Sequence, residues 1–316
     1  MPITLAQAQE LSQNKLTQYV ISEFRKSPLL EALPFDNTVM PQGGVTLAYS
    51  YNRVTTLATA ASRAINAEFV AQEAVTTQYT VNLKIFGGSF QVDRVIANAQ
   101  KQVVDHIQFQ TAQKIEASRA KFADMFINGD SGQVATDFDG IDKAITGSST
   151  EHVPAAAIDL STSANITTNF NLFMDTLDKW LSTLDGPPSA LMMNKAVHAI
   201  MSGIARRSGF FSTSDVDAFG KPVTKYQGIP LVALGDKAGT SNPIIATANG
   251  ETSIYAARFA LDGVHGVSPA GTNVADVYLP NMTAPGAVKT GEVEMVAAVA
   301  LKATRAAGAL RKVKIS

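Results

Sequence analysis

The chain has 316 residues, 46% hydrophobic and 17% charged, with 26 Lys plus Arg against 27 Asp plus Glu and a net charge of −1. That length allows one large domain or two smaller ones, and the near-neutral balance argues against a dedicated nucleic-acid binder, which carries a strongly basic domain. With no cysteine, disulfide scaffolds, thiolate zinc sites and cysteine nucleophiles are excluded.

The first ten residues lack the basic and apolar regions of a signal peptide, and no apolar run reaches 18 residues. A soluble protein made and used in a cytoplasm, without a membrane span, is expected. The low charge fraction suits a surface largely covered by partners. Thr4 and Gln7 have the form of a capping box. Leu5, Ala8, Leu11, Leu16, Tyr19, Val20 and Phe24 then recur near helical spacing, predicting an amphipathic helix that stops at Ser27-Pro28. It can pack on its own chain or act as an arm on a neighbouring copy.

After Pro34 and Pro41 the period becomes two. Val45, Leu47, Tyr49 and Tyr51 alternate with Thr46, Ala48, Ser50 and Asn52, and a second strand follows at Tyr79, Val81, Leu83 and Ile85. Between them lie about 25 residues rich in Ala and Thr, with Arg53, Arg63, Glu68 and Glu73. Hairpin loops are usually far shorter, so a long two-stranded arm with an extended tip is predicted. An isolated ribbon is marginal in water; the expected cover is another copy of the same protein.

Gly87-Gly88 reads as a strand break, with the strand resuming from Phe90 to Val95. From Ala97 to Ile127 there is no Gly or Pro, which predicts a helix of about 31 residues, about 46 Å long. Its apolar positions include Val103, Val104, Ile107, Ile115, Phe122 and Phe126, and Asn128-Gly129 is expected to close it with a left-handed glycine. Asp130 to Ser163 is loop-rich, with a turn at Gly147-Ser148-Ser149. Asn169 to Leu184 reads as a helix with Phe170, Phe173, Leu177, Trp180 and Leu184 along one side, ended by Gly186-Pro187-Pro188.

Ala190 to Met193 is a short buried strand, and Asn194 is placed to cap a helix running to about Arg207. Strand signals follow at Ile229 to Leu234, Ile244 to Ala246 and Ile254 to Ala257, and Val293, Met295, Ala297, Val299 and Leu301 alternate again. The stretch Lys302 to Ser316 carries Lys302, Arg305, Arg311, Lys312 and Lys314 with no acidic partner. It reads as a solvated end, as salt bridges to neighbours, or as a local surface facing DNA.

Gly129-Asp130-Ser131-Gly132 matches the sequence around a trypsin-like nucleophilic serine, but that chemistry needs a histidine base and an orienting aspartate. Only His106 precedes it, about seven helical turns away, so a turn after a helix end is the reading. His106, His152, His198 and His265 lack metal-ligand spacing, and no phosphate-binding glycine loop is present. Asn165-Ile166-Thr167 and Asn281-Met282-Thr283 fit glycosylation acceptors but carry no weight without a signal peptide. No catalytic, cofactor-binding or metal-binding residue is assigned, and no cofactor is expected.

In order, these elements resemble the major capsid proteins of tailed bacteriophages with the Hong Kong 97-type fold. Pro41-Gln42-Gly43-Gly44 through Tyr49-Ser50-Tyr51-Asn52-Arg53-Val54 looks like the outgoing strand of that family's extended loop, and Thr80 to Phe86 like its return strand. Phe86-Gly87-Gly88-Ser89-Phe90-Gln91-Val92-Asp93, leading to the helix from Ala97, looks like the approach to the family's spine helix. Pro188 to Asn194 with the following helix, and Tyr226-Gln227-Gly228-Ile229-Pro230-Leu231, resemble elements of its axial domain. Val293 to Arg311 resembles the closing strand and alanine-rich turn. The resemblance covers nearly the whole chain and rests on the order of elements, since no single motif is diagnostic.

The resemblance implies an α+β fold with an N-terminal arm (1–40) and an extended β-hairpin loop (41–86). A peripheral domain (87–160 and 265–300) would hold the spine helix, and an axial domain (161–264 and 301–316) would complete the subunit. It also implies a structural protein of the virion, not an enzyme, assembled in the host cytoplasm. Its pentamers and hexamers would close into an icosahedral head around double-stranded DNA, touched non-specifically. Portal, scaffolding and decoration proteins are the implied partners; with about 40 residues before the hairpin, a separate scaffolding protein or none is expected. No Lys–Asn crosslinking pair is identified. Tyr49, Tyr51, Arg53, Arg63, Glu68 and Glu73 form the expected assembly interface, with the tyrosines packing on an adjacent subunit and the charges pairing at the rim. Two other readings stay open: an encapsulin-type compartment of the same fold that packages enzymes, and a soluble enzyme with a site built from scattered residues.

Overall fold

The computed structural model describes residues 28–38, 46–94, 102–208, 215–216, 222–269 and 275–316. The helix expected between Thr4 and Phe24, the strand start at Val45, the start of the long helix at Ala97 and the side chain of His106 lie outside the described residues.

The first half of the chain contains α1 (Pro28–Ala32), β1 (Phe35–Thr38), β2 (Ala48–Thr56), β3 (Val75–Asn82), β4 (Lys84–Asp93), α2 (Gln102–Asn128), α3 (Ile141–Ile145), β5 (Glu151–His152), β6 (Ile158–Asp159) and α4 (Ser163–Leu181). The second half contains β7 (Ala190–Met193), α5 (Lys195–Ser208), β8 (Asp215–Val216), β9 (Pro222–Val223), β10 (Lys225–Tyr226), β11 (Ile229–Ala233), β12 (Glu251–Ala257), β13 (Val264–Pro269), β14 (Ala275–Tyr278), β15 (Val288–Leu301) and β16 (Ala307–Lys314). The class is the expected α+β.

β15 organises the first sheet. Val293, Met295 and Ala297 alternate inward, and from Ala297 to Leu301 every residue is buried, which is why that stretch is continuously apolar. β4 pairs with β15 from Asp93↔Val288 to Lys84↔Ala297. On the opposite edge β14 and then β13 pair with it, and β1 runs parallel to β13. α2 packs on this sheet through Phe122 and Phe126. The Phe122 ring lies 5.7–6.3 Å from those of Phe35, Phe86, Phe126 and Phe138. Each such burial contributes about 1.5–3 kcal/mol.

The second sheet has the order β10-β11-β7-β12-β16-β5, with β6 also on β16. Phe173, Leu177 and Trp180 of α4 and Val197, Met201 and Ile204 of α5 share one core with Leu191, Met193, Leu231, Ile254 and Leu310 of the strands. The Trp180 indole N–H donates to the Thr150 carbonyl at 3.0 Å, so its one polar atom is satisfied inside the core. Asn194 caps α5 as expected, its Oδ1 accepting from the Val197 N–H at 2.8 Å.

Four local expectations are corrected. Gly87-Gly88 does not break the strand but sits inside β4, because a Cβ at Gly87 would strike the Val293 carbonyl of β15; glycine there permits a close approach. The interruption falls instead at Leu83, between β3 and β4. Gly129 closes α2 without a left-handed conformation; its missing side chain makes room for the Phe138 and Met125 carbonyls. α4 begins at Ser163, before Asn169, because Thr162 Oγ1 accepts from the Asn165 N–H at 3.1 Å. Its first turns, mostly polar, offer only Ile166 to the core before Phe170, too little for a helical period to register.

The fourth correction concerns Ile244 to Ala246, which is not a strand. Pro243 cannot donate to a ladder, and the carbonyls of Ile244 and Ile245 accept instead from the side-chain amides of Asn128 and Asn194, at 2.7 and 3.5 Å.

Candidate assembly surface

β2 and β3 pair antiparallel from Ala48↔Asn82 to Thr56↔Val75, with a bulge after Val54. The two-residue period puts Tyr49, Tyr51 and Arg53 of β2 and Tyr79 and Val81 of β3 on one face. That face looks toward the body of the same chain. The Tyr49 hydroxyl donates to Asp36 of β1 at 2.6 Å. Burial, then the bond to Asp36, push the Tyr49 phenol above its ordinary range. The Tyr51 hydroxyl donates to the Leu301 carbonyl at 2.9 Å, and its ring stacks on Tyr79 at 6.0 Å.

Arg53 lies 4.3 Å from the centroid of the Tyr79 ring and donates to the Leu301 carbonyl and, at 3.4 Å, to Thr304 Oγ1. It has no carboxylate partner among the described residues, and its Nε is buried without an acceptor. Beneath the hairpin lies His265 of β13, 0% exposed, with neither ring nitrogen hydrogen-bonded. Its ring meets Tyr49 edge-on at 5.6 Å, and the Lys302 ammonium sits 5.3 Å from the centroid of the same tyrosine. The base of the hairpin is therefore covered by its own chain, where a neighbouring copy was the expected cover.

The far end is different. Between β2 and β3, residues 57–74 form no strand. Leu57, Ile65, Phe69 and Val70 are 78%, 91%, 62% and 83% exposed. Arg63 stacks on Phe69 at 5.4 Å and donates to the Ala67 carbonyl at 3.1 Å, holding the tip in a local turn. Glu68 and Glu73 are exposed, with no ion-pair partner among the described residues. Of the six residues expected at an interface, Tyr49, Tyr51 and Arg53 thus rest on the body and Arg63, Glu68 and Glu73 stand at the tip.

Because the hairpin leans over the body, a cleft opens between them. Tyr51, Arg53 and Tyr79 form one wall and Ile141, Ala144 and Leu301 the other, enclosing a cavity of about 280 Å³. Asp139 and Lys143, also at its edge, pair with each other at 2.8 Å, so Arg53 carries the cleft's unbalanced charge. Sequence reading missed the partners of the hairpin: no spacing links Asp36, His265 or Leu301 to Tyr49 and Tyr51.

The remaining chemical candidates resolve as structure. Gly129-Asp130-Ser131-Gly132 forms a turn after α2, with the Asp130 carboxylate accepting from the Gly132 N–H at 2.9 Å. Lys143 Nζ reaches Ser131 Oγ at 3.5 Å, but ion pairs first with Asp130 and then with Asp139 raise its pKa. It therefore stays protonated and cannot serve as the base for that serine. Among the described residues no group of three or more His, Asp or Glu side chains is placed to hold a metal, and no helix is long and apolar enough to cross a membrane.

The C-terminal basic run has acidic partners after all, supplied by other segments. Arg311 pairs with Asp142 at 2.5 Å and Glu151 at 2.9 Å, and Lys314 with Asp159 at 3.4 Å. A bulge opposite Ser253, with Lys312 at φ 55°, aims Arg311 at this cluster.

No protein-family model matches the chain, and no curated protein does. Solved structures match it over almost its whole length. The holo-SrpI encapsulin complex of Synechococcus elongatus aligns with a TM-score of 0.60 at 15% identity, covering 92% of this chain and 89% of that one. The capsid of the native GTA particle gives 0.56 at 13%, covering 90% and 89%. A chain from Mycobacterium phage Bobi gives 0.56 at 14%, covering 92% and 90%.

Proposed function

On the premise that this chain has the Hong Kong 97-type fold, we propose that it is the structural subunit of a self-assembling icosahedral shell, a phage head built from pentamers and hexamers around double-stranded DNA. The observation that carries this is the hairpin tip, where four large apolar side chains stand in solvent at the end of an arm whose base is already satisfied. Exposed apolar surface of that kind marks a docking site. A specific contact buries on the order of 1,200–2,000 Å², and an arm that leaves the body adds area without enlarging the core. On this reading residues 87–160 and 265–300 are the peripheral domain around the spine helix α2, and residues 161–264 and 301–316 are the axial domain. Function resides in interface energy and not in catalysis. Portal, scaffolding and decoration proteins belong to the same proposal, as does a virion location.

The likeness to the SrpI encapsulin complex favours a second reading, a compartment for protein cargo. One experiment addresses both. Replacing residues 57–74 by Asn-Gly, which suits a two-residue hairpin turn, should leave a folded subunit that no longer forms closed particles by negative-stain microscopy. Normal particles from the deletion refute the arm's role. Nuclease-protected DNA in native particles supports a phage head; a co-purifying enzyme in its place supports the compartment.

A further inference from the structure

A ring of more than two identical subunits cannot close through one self-complementary patch. It needs two different surfaces, each subunit presenting one to the left and the other to the right. The chain carries such a pair. One member is the tip, an apolar knob with two carboxylates that have no ion-pair partner among the described residues. The other is the cleft under the hairpin, with apolar walls at Ile141, Ala144 and Leu301 and the guanidinium of Arg53, which has no carboxylate partner among the described residues. Resting on the shell-forming reading, we infer that the hairpin tip of one copy seats in the cleft of the next, Phe69 entering between hairpin and α3 while Glu68 approaches Arg53.

The physical grounds are fit and charge. A cavity of about 280 Å³ has room for a benzyl group. Phe69 is already displayed at 62% exposure, with Ile65 and Val70 beside it to cover the rim. Arg53 has spent its NH groups on neutral oxygens and the Tyr79 face and pairs with no carboxylate among the described residues, so an arriving carboxylate displaces no existing ion pair. Such an insertion would also wedge the arm against the body and fix its angle. Each tip would lock the next arm, and contact formed at one boundary would favour the neighbouring one.

The absence of cysteine makes the test direct. Ala144→Cys, at an exposed position, is labelled with a benzophenone. A mixture of isotopically light labelled protein and heavy unlabelled protein is assembled and irradiated, and the crosslinked peptides are mapped by mass spectrometry. The expected adduct joins light residue 144 to a heavy peptide within 57–74. Phe69→Cys carrying the same label should reciprocally reach residues 139–144 or 299–301. Closed particles whose adducts fall on any other segment, or only within one copy, overturn the cleft assignment and leave the shell reading standing. Failure of the unmodified chain to form particles removes both. Glu68→Arg, at an exposed position that makes no side-chain hydrogen bond or ion pair among the described residues, should raise the threshold concentration for assembly up to about five-fold per contact, and an unchanged threshold also counts against the pairing with Arg53.

Discussion

Lowering the pH from 7 to 4.5 should loosen the hairpin from the body, and His265→Phe should abolish most of that response. His265 is buried, and apart from a weak approach to the Gly263 backbone its ring nitrogens have no partner among the described residues, so its charged form is disfavoured. Burial, then the nearby positive charge of Lys302, hold its pKa down to about 4 from 6.5, against the opposing pull of Asp36 and the Gly263 carbonyl. A depressed histidine pKa means that the unfolded or released state binds the proton more readily. The contribution of the docked state is therefore whole above pH 6.5, declines as pH falls, and is lost by about pH 4. A shift of that size corresponds to at most about 3 kcal/mol.

Asp36 acts in the same direction in a lower window. Burial raises its pKa, but the bond from Tyr49, the Asn37 N–H and Lys302 bring it below 3.8, so its contribution is lost only as pH falls past that value. Tyr49, with its pKa raised, remains protonated throughout. Between pH 6.5 and 4.5 the response thus belongs to His265. Hydrogen exchange of the amides from Tyr49 to Arg53 and from Thr77 to Val81, corrected for the intrinsic pH dependence, reads the docking directly. Phenylalanine keeps a ring edge-on to Tyr49 without a titrating nitrogen. If both proteins lose the same protection between pH 7 and 4.5, the reasoning is wrong.

Arg311→Ala leaves Asp142 and Glu151 facing one another beside the Tyr255 hydroxyl without the cation that joins them; a loss of about 3 kcal/mol is expected in the urea stability of the unassembled subunit, while an unchanged midpoint would show the cluster to be solvated. Gly129→Ala drives a methyl group into the Met125 and Phe138 carbonyls and should destabilise the subunit by about 1–3 kcal/mol, although helix propensity alone would favour alanine.

Much of this protein is legible as local pattern. Period two marked β2, β3 and β15, the long stretch without Gly or Pro marked α2, and Asn194 marked the start of α5, because backbone geometry ties side-chain direction directly to spacing. The order of these elements was enough to suggest the Hong Kong 97-type fold and with it a shell. Glycine was harder to read. Gly87 and Gly129 looked like punctuation, but each makes room for another segment's carbonyl, a demand that comes from residues far along the chain. The same limit applies at the candidate interface. Alternation placed Tyr49, Tyr51 and Arg53 on one face of an arm without saying what that face would meet. Tertiary packing supplied Asp36, His265 and Leu301, which turned that face inward and left the tip's large apolar side chains in solvent. Spacing along a chain sets the direction of each side chain; only the packed fold decides what lies in that direction.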